Sequence, residues 1–268
     1  MAYNFENKMA AIRQSKQFDN RDYTSTVMEA LVYLSEKNYD YNIVDIRHLT
    51  QTYKLLIIPA YYLMDPAAAD GIRNFVANGG SVVMTGFSAM LDKNNAVFDL
   101  PPPGLLDDVF GIRVVTFERT NVNWKHNEII EIERKGKRVI SKSNFYEELE
   151  LQGAVRYAEF SGKNLTALSV NVYGKGRAYY AAFDTDSVAL GFLLPEILEE
   201  LGLPLPLTVP AGVMARKIAD GQHFYVNTLD TAVKITLPEN GNGVLSGKYY
   251  DRELCLPPFD AELIVSGK

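Results

Sequence analysis

Between Asp22 and Lys37 the apolar residues Val27, Ala30, Leu31 and Leu34 recur at the spacing of one helical face, which predicts an amphipathic helix. Two short apolar runs follow, Ile43-Val44-Asp45-Ile46 and Leu55-Leu56-Ile57-Ile58-Pro59, of the kind that a parallel sheet buries on both faces. A second helix is predicted after Met64, with Asp65 as N-cap, Pro66 in the first turn and Ile72, Phe75 and Val76 facing inward. Asn78-Gly79-Gly80 stops it, and Ser81-Val82-Val83-Met84-Thr85 returns to a buried strand. Strand and helix alternating through short connections argue an α/β fold with a parallel sheet and right-handed crossovers. Ala10-Ala11-Ile12-Arg13 stands where a first strand is expected, and it is a poor match for one.

After Gly104 the pattern changes. A short helix through Leu105, Leu106, Val109 and Phe110 ends at Gly111, and 112–117, 128–132, 165–172 and 178–183 read as strands of a more antiparallel region. Leu190, Leu193, Leu194, Ile197, Leu198 and Leu201 then recur at helical spacing up to Gly202. Pro204, Pro206 and Pro210 disfavour regular structure and predict a linker, so the expected domains are 1–206 and 207–268. Beyond it, strands punctuated by Asp220-Gly221, Asn240-Gly241-Asn242-Gly243 and Ser246-Gly247 predict a small antiparallel β domain.

Several of these segments resemble, in order and spacing, the second and third domains of family 42 glycoside hydrolases, the bacterial β-galactosidases. Tyr53 to Ala60 is similar to the family's Y-K-L-V-x-x-P strand, and Phe75 to Val83 to its F-V-x-x-G-G-x-x-V passage. Phe87-Ser88-Ala89-Met90-Leu91-Asp92-Lys93-Asn94 resembles the F-S-G-I-V-D-E-N loop, with Ala89 in place of the glycine. Leu105 to Val114 resembles L-x-x-x-x-G-I-R-V, and Gly174 to Tyr180 resembles the G-K-G-x-A-Y-Y hairpin.

The resemblance implies a flavodoxin-like, class I glutamine amidotransferase-like sheet with helices on both faces. It also implies a module that joins three copies of the chain into a ring, its loops walling the active site of a neighbouring (β/α)8 barrel. That barrel, which carries both catalytic carboxylates in the family, is not among these residues, so the chain alone is expected to be no enzyme and to meet a galactoside only through the barrel. Phe87, Ser88, Asp92, Asn94, Tyr61, Tyr62 and Trp124 are the candidates for active-site wall or intersubunit loop. Tyr61 to Met64 and Leu100 to Pro103 are apolar loops to search first for contact between subunits.

Composition narrows the partners. With 27 basic and 33 acidic residues the formal charge is -6, which excludes the electrostatic footprint of a nucleic-acid or anionic-membrane binder. No run approaches a membrane span, the first residues lack a signal peptide's pattern, and the cytoplasm is the default location. Cys255, the one cysteine, lies between Leu254 and Leu256 and reads as a small buried hydrophobe.

Residues 86–90 form a broken G-x-S-x-G, because Met90 takes the second glycine position, which argues against Ser88 as a nucleophile; a stand-alone amidotransferase-like or esterase-like hydrolase with an unrecognised site on the same fold is the competing reading. His48, His126 and His223 lack metal-ligand spacing, and no metal or cofactor is expected. Glu147-Glu148 with Glu150, and Asp107-Asp108, read as solvated acids. Gly174-Lys175-Gly176 reads as a tight turn and not a phosphate loop. Trp124 in a polar stretch leaves a carbohydrate-binding accessory role as a third reading.

Overall fold

The helix predicted after Met64 forms over Pro66–Ala77: the Asp65 carboxylate accepts from Ala68 N at 2.7 Å, Pro66 occupies the first turn, and Gly79 turns the chain at φ 103°. Its buried residues Ala68, Ala69, Ile72, Phe75 and Val76 lie against the two strands that flank it in sequence, β1 (Leu55–Ile58) and β2 (Ser81–Thr85), which pair in parallel. This computed structural model describes residues 1–10, 23–50, 52–119, 129–143 and 145–267. Trp124, His126 and residues 11–13 of the expected first strand lie outside the described residues, and Ala10 is helical, as are 5–9.

The position next to β1 is taken instead by the first residues of the chain. Ala2 N donates to Ile57 O, Tyr3 N to Val44 O and Val44 N to Met1 O, so Ala2, fully buried, sits between Val44 and β1. Val44 contributes one parallel bridge, and Ile46–His48 is a 3-10 turn, so the run Ile43 to Ile46 is only partly a strand.

From Gly111, the left-handed end of helix Asp107–Phe110, to Ala181 the described chain is almost all strand: β3 (Ile112–Arg119), β4 (Ile129–Arg134), β5 (Lys137–Lys142), β6 (Phe145–Leu151), β7 (Val155–Phe160), β8 (Leu165–Tyr173) and β9 (Gly176–Ala181). One sheet has the order β1-β2-β9-β8-β7-β4-β5, and β3 pairs with β6 apart from it. In that sheet β1, β2 and β9 are parallel, while β9-β8, β8-β7, β7-β4 and β4-β5 are antiparallel.

This overturns the flavodoxin-like, amidotransferase-like expectation. A parallel neighbour requires a crossover of a dozen or more residues, but β4-β5, β7-β8 and β8-β9 are joined by turns of a few residues, which permit only antiparallel pairing. The strand-helix-strand passage over 55–85 is local to one end of a mixed, strand-dominated sheet. Leu56, Ile58, Val82, Met84, Ala178 and Tyr180 form one face of its core, closed by helix Pro66–Ala77 and by Leu106, Val109 and Phe110.

The edge strand β5 is fastened through one carboxylate. Asp186 Oδ1 accepts from Ser141 Oγ at 3.0 Å and from Ala189 N at 2.8 Å, and Oδ2 accepts from Lys142 N at 2.8 Å. Asp186 therefore starts helix Ser187–Glu200 and holds the sheet edge together.

By internal contacts the chain divides into two units, Met1–Ala30 with Asn42–Leu194, and Leu31–Tyr41 with Pro195–Lys268. The second contains β10 (Val213–Ala219), β11 (Gln222–Asn227), β12 (Val233–Thr236), β13 (Gly241–Gly243), β14 (Tyr249–Tyr250), β15 (Glu253–Leu256) and β16 (Ala261–Val265). They form antiparallel sheets of order β10-β11-β16-β13-β14 and β12-β15 around Val213, Ala215, Tyr225, Ile235, Leu254, Leu256 and Ile264. Cys255 is exposed, contrary to the expectation of burial: Leu254 and Leu256 face the core, and strand alternation turns the residue between them outward.

Candidate functional site

The loops that leave β1 and β2 lie side by side and are zipped together by backbone bonds. Ala89 N donates to Tyr61 O at 2.8 Å, Met90 N and Leu91 N to Tyr62 O at 3.0 Å, and Met64 N to Leu91 O at 2.9 Å. Two hydroxyls complete the seam: Thr85 Oγ1 accepts from Ala60 N at 2.8 Å, and Ser88 Oγ accepts from Tyr61 N at 2.9 Å. Such close contact forces sharp bends, and Ala60, Phe87 and Ala89 have φ of 40°, 60° and 55°, the left-handed region that side chains disfavour.

Of the candidate residues, the structure brings Tyr61, Tyr62, Phe87 and Ser88 together and leaves Asp92 and Asn94 at the tip of the second loop. Asp92 closes that tip on itself: its Oδ1 accepts from Asn94 N at 2.7 Å and Ala96 N at 2.9 Å, and these donors, Ala96 N foremost, hold its carboxyl below the usual range. Tyr61 and Met64 are buried, so the loop Tyr61 to Met64 is largely internal, whereas Leu100 is 53% exposed and Val97 72%.

Ser88 is fully buried and its oxygen is engaged by a backbone N–H. A nucleophile needs an accessible oxygen and an adjacent base; burial removes the first condition, so Ser88 is no nucleophile in this geometry. Replacing Ser88 with Ala should strand the buried Tyr61 N–H and lower stability by about 1–3 kcal/mol. Urea unfolding of the two proteins measures this, and an unchanged midpoint would show that the hydroxyl contributes nothing to the seam.

One participant escaped the sequence reading. Glu147 on β6 is buried at 1% exposure; its Oε1 accepts from Phe87 N at 2.9 Å and its Oε2 from Tyr180 OH at 2.8 Å. Burial pushes its carboxyl up to about 7, against the opposing pull of those two donors. Gly86 makes room for it, since a Cβ there would stand 3.2 Å from Oε2 and 2.7 Å from the Phe145 ring. Glu147 is therefore a structural anchor for the second loop and not the solvated acid that its neighbour Glu148 suggests. The signal available in the sequence was alternation: in Phe145-Tyr146-Glu147-Glu148-Leu149 only one of two adjacent acids can share a strand face with Phe145 and Leu149.

The Phe87 ring, held from its backbone by Glu147, stacks on Phe145 at 3.8 Å between centroids. It also meets Phe117 edge-on at 5.4 Å and faces Tyr62 at 6.4 Å. Phe117 is 38% exposed, so this aromatic group reaches the surface. It offers packing area, and its one buried acid is spent on loop anchoring.

Residues 1–204 match the family model described as the β-galactosidase trimerisation domain. The chain belongs to the β-galactosidase trimerisation domain family. Among related proteins, the β-galactosidase BgaA of Planococcus sp. (strain 'SOS Orange') is 28% identical over 233 residues, covering 84% of this chain and 34% of the relative. BgaB of Geobacillus sp. (strain Y412MC61) is 28% identical over 247 residues, covering 89% of this chain and 36% of the relative. The chain thus spans about a third of the length of these relatives. The crystal structure of a β-galactosidase from Bacillus circulans sp. alkalophilus matches 98% of this chain and 40% of its own, with a TM-score of 0.86 at 23% identity, which shows a shared fold. The trimerisation domain accordingly takes the mixed, strand-rich architecture described above and not a helix-flanked flavodoxin-like one.

Proposed function

We propose that this chain is a homotrimerising assembly module of a β-galactosidase-type glycoside hydrolase, with no catalysis of its own. The family match over 1–204 carries this reading. In it, residues 1–206 form the assembly domain and 207–268 a β domain attached to it. Chemistry on a galactoside belongs to a catalytic barrel outside these 268 residues, and the aromatic loops at Tyr62, Phe87 and Phe117 serve as contact surface. Exposed apolar side chains such as Val97, Leu100, Val115 and Ile140 are the raw material for a subunit interface. A three-membered ring requires a heterologous contact, with two different patches meeting and closing after three steps. We propose a cytoplasmic location; independently of that, no helix among the described residues is long and apolar enough to cross a membrane.

The test is mass in solution. Sedimentation equilibrium across a wide concentration range should give three times the chain mass of 30.0 kDa, and a clean monomer throughout would overturn the assembly role. Hydrolysis of a chromogenic galactoside by the purified chain would overturn the non-catalytic one.

A further inference from the structure

The β13-β14 hairpin is the lightly attached end of the second unit's larger sheet. In the order β10-β11-β16-β13-β14 nothing lies beyond β14, and β13 meets β16 at two residue pairs, Asn242 with Val265 and Gly243 with Ile264. The turn that joins the two strands, Val244 to Lys248, leaves Val244 and Leu245 exposed, so little apolar burial holds it down. One backbone bond ties it to β16, from Val244 N to Leu263 O at 2.9 Å.

The clasp is a buried carboxylate. Glu262 on β16 is 2% exposed; its Oε1 accepts from Leu245 N at 2.9 Å and Leu263 N at 3.0 Å, and its Oε2 from Ser246 N at 3.2 Å and Tyr250 OH at 3.3 Å. Three of those four donors belong to the hairpin, and bonds to an ionised acceptor are the strong ones. A Cβ on Gly243 would stand 2.5 Å from Oε2, so β13 lies directly against the acid. Burial pushes the carboxyl up, but the donors outweigh burial and hold it below its ordinary 4.5. The other groups around it do not titrate in acid as carboxylates do. Tyr250 and Tyr225, its cross-strand partner on β11, are phenols; His223 on β11 couples to Lys217 and Glu239; Lys248 is exposed and forms no ion pair with Glu262 among the described residues. The β12-β15 sheet brings apolar Ile235, Leu254 and Leu256 to the shared core.

We propose that the β13-β14 hairpin is an acid-opened flap: protonation of Glu262 puts a hydrogen on one of the two oxygens that receive the donors, and the hairpin then detaches from β16. The opened state leaves one edge of β16 unpaired, with β11 as its remaining neighbour. The direction follows from linkage: a carboxyl depressed in the folded chain contributes stability that is complete above its unfolded value and is lost as pH falls through the folded one. This inference stands apart from the assembly role, since every residue it uses belongs to the second unit.

Hydrogen exchange of the full chain, read by mass spectrometry and corrected for the intrinsic pH dependence of exchange, tests it. Between pH 6 and pH 3 the protection of 243–249 should fall at least about tenfold, with a midpoint below 4.5, while that of β10 and β11 holds. Tyr250→Phe and Ser246→Ala each remove a hydroxyl that donates to the ionised acid. Each should move the midpoint to higher pH, because the charged form loses a partner. Glu262→Gln, with a single acceptor oxygen, should show the low protection at both pH values; should it fail to fold, the wild-type profile and the two hydroxyl variants decide. Equal protection of the hairpin at the two pH values, a fall shared equally by β10 and β11, a midpoint above 4.5, or a midpoint that neither hydroxyl variant moves would overturn the proposal.

Discussion

Gly176→Ala should abolish folding or lower stability by about 4 kcal/mol, beyond the usual range for an added core methyl, because the collision is with backbone. Gly176 opens β9, and a Cβ built there overlaps the carbonyl oxygens of Gly80 and Val76. Those oxygens belong to the last turn of helix Pro66–Ala77 and to the glycine turn behind it, where Gly80 N already donates to Phe75 O and Gly79 N to Val76 O. Neither carbonyl can rotate away as a side-chain tip would. On the other arm of the hairpin, Lys175 N donates to Ala77 O at 3.0 Å, and a Cβ on Gly174 would stand 2.6 Å from Ala77 Cα. The β8-β9 turn is thus seated in the end of the helix, and its two glycines let the backbones touch. Gly136→Ala is the control: its φ is 75° and a Cβ there meets nothing within 4 Å, so only the left-handed penalty of about 1 kcal/mol applies. Equal losses in the two variants, read by circular dichroism and urea unfolding, would remove the steric account.

The same hairpin shows what could be read from residues alone. Gly174-Lys175-Gly176 announces a tight turn, and Asp65, Pro66 and Gly79 mark a helix at both ends, because capping and turn chemistry is local. Strand direction is not local. The apolar strands β1 and β2 around one helix carry the parallel, flavodoxin-like expectation; the more antiparallel character beyond Gly111 is legible, but three of its strands have weak signals of their own. Lys137–Lys142, Phe145–Leu151 and Val155–Phe160 are rich in charge, since much of each is solvated, and their register is set by partners far away in sequence.

The site was legible to a similar depth. Phe87 and Ser88 can be named from their motif and Tyr61 and Tyr62 from their apolar loop, yet the residue that fixes Phe87, Glu147, is 60 positions away. Its acidic neighbours Glu148 and Glu150 disguise it. Cys255 was misread for the related reason that an apolar run in a strand still faces two ways.

Glu147→Gln should leave stability nearly unchanged near pH 4.5 and raise it by roughly 3 kcal/mol at pH 8.5, the value that corresponds to a carboxyl moved from its ordinary 4.5 to about 7. The direction follows from linkage. A carboxyl with a raised folded-state pKa binds protons more tightly in the native than in the unfolded chain, so its stabilising contribution is complete below pH 4.5, declines as pH rises toward 7, and is gone above it. Glutamine carries no charge to bury and can still accept from Phe87 N through its amide oxygen, while its NH₂ meets the Tyr180 hydroxyl as a donor. The difference between the two proteins isolates this group from other titrations. It should open between pH 4.5 and 7 and remain constant beyond. Urea unfolding at several pH values measures it, and a difference independent of pH would mean that the Glu147 carboxyl has the same pKa in the native and unfolded chains. An anchor whose carboxyl is raised to about 7 also predicts that the environment of Phe87 in the folded chain changes around that pH, and not near 4.5. The acid receives bonds from Phe87 N and Tyr180 OH in its ionised form, and burial opposes that form. Whichever prevails sets how firmly the aromatic surface of Tyr62, Phe87 and Phe117 is held, and with it the surface offered to a neighbouring subunit.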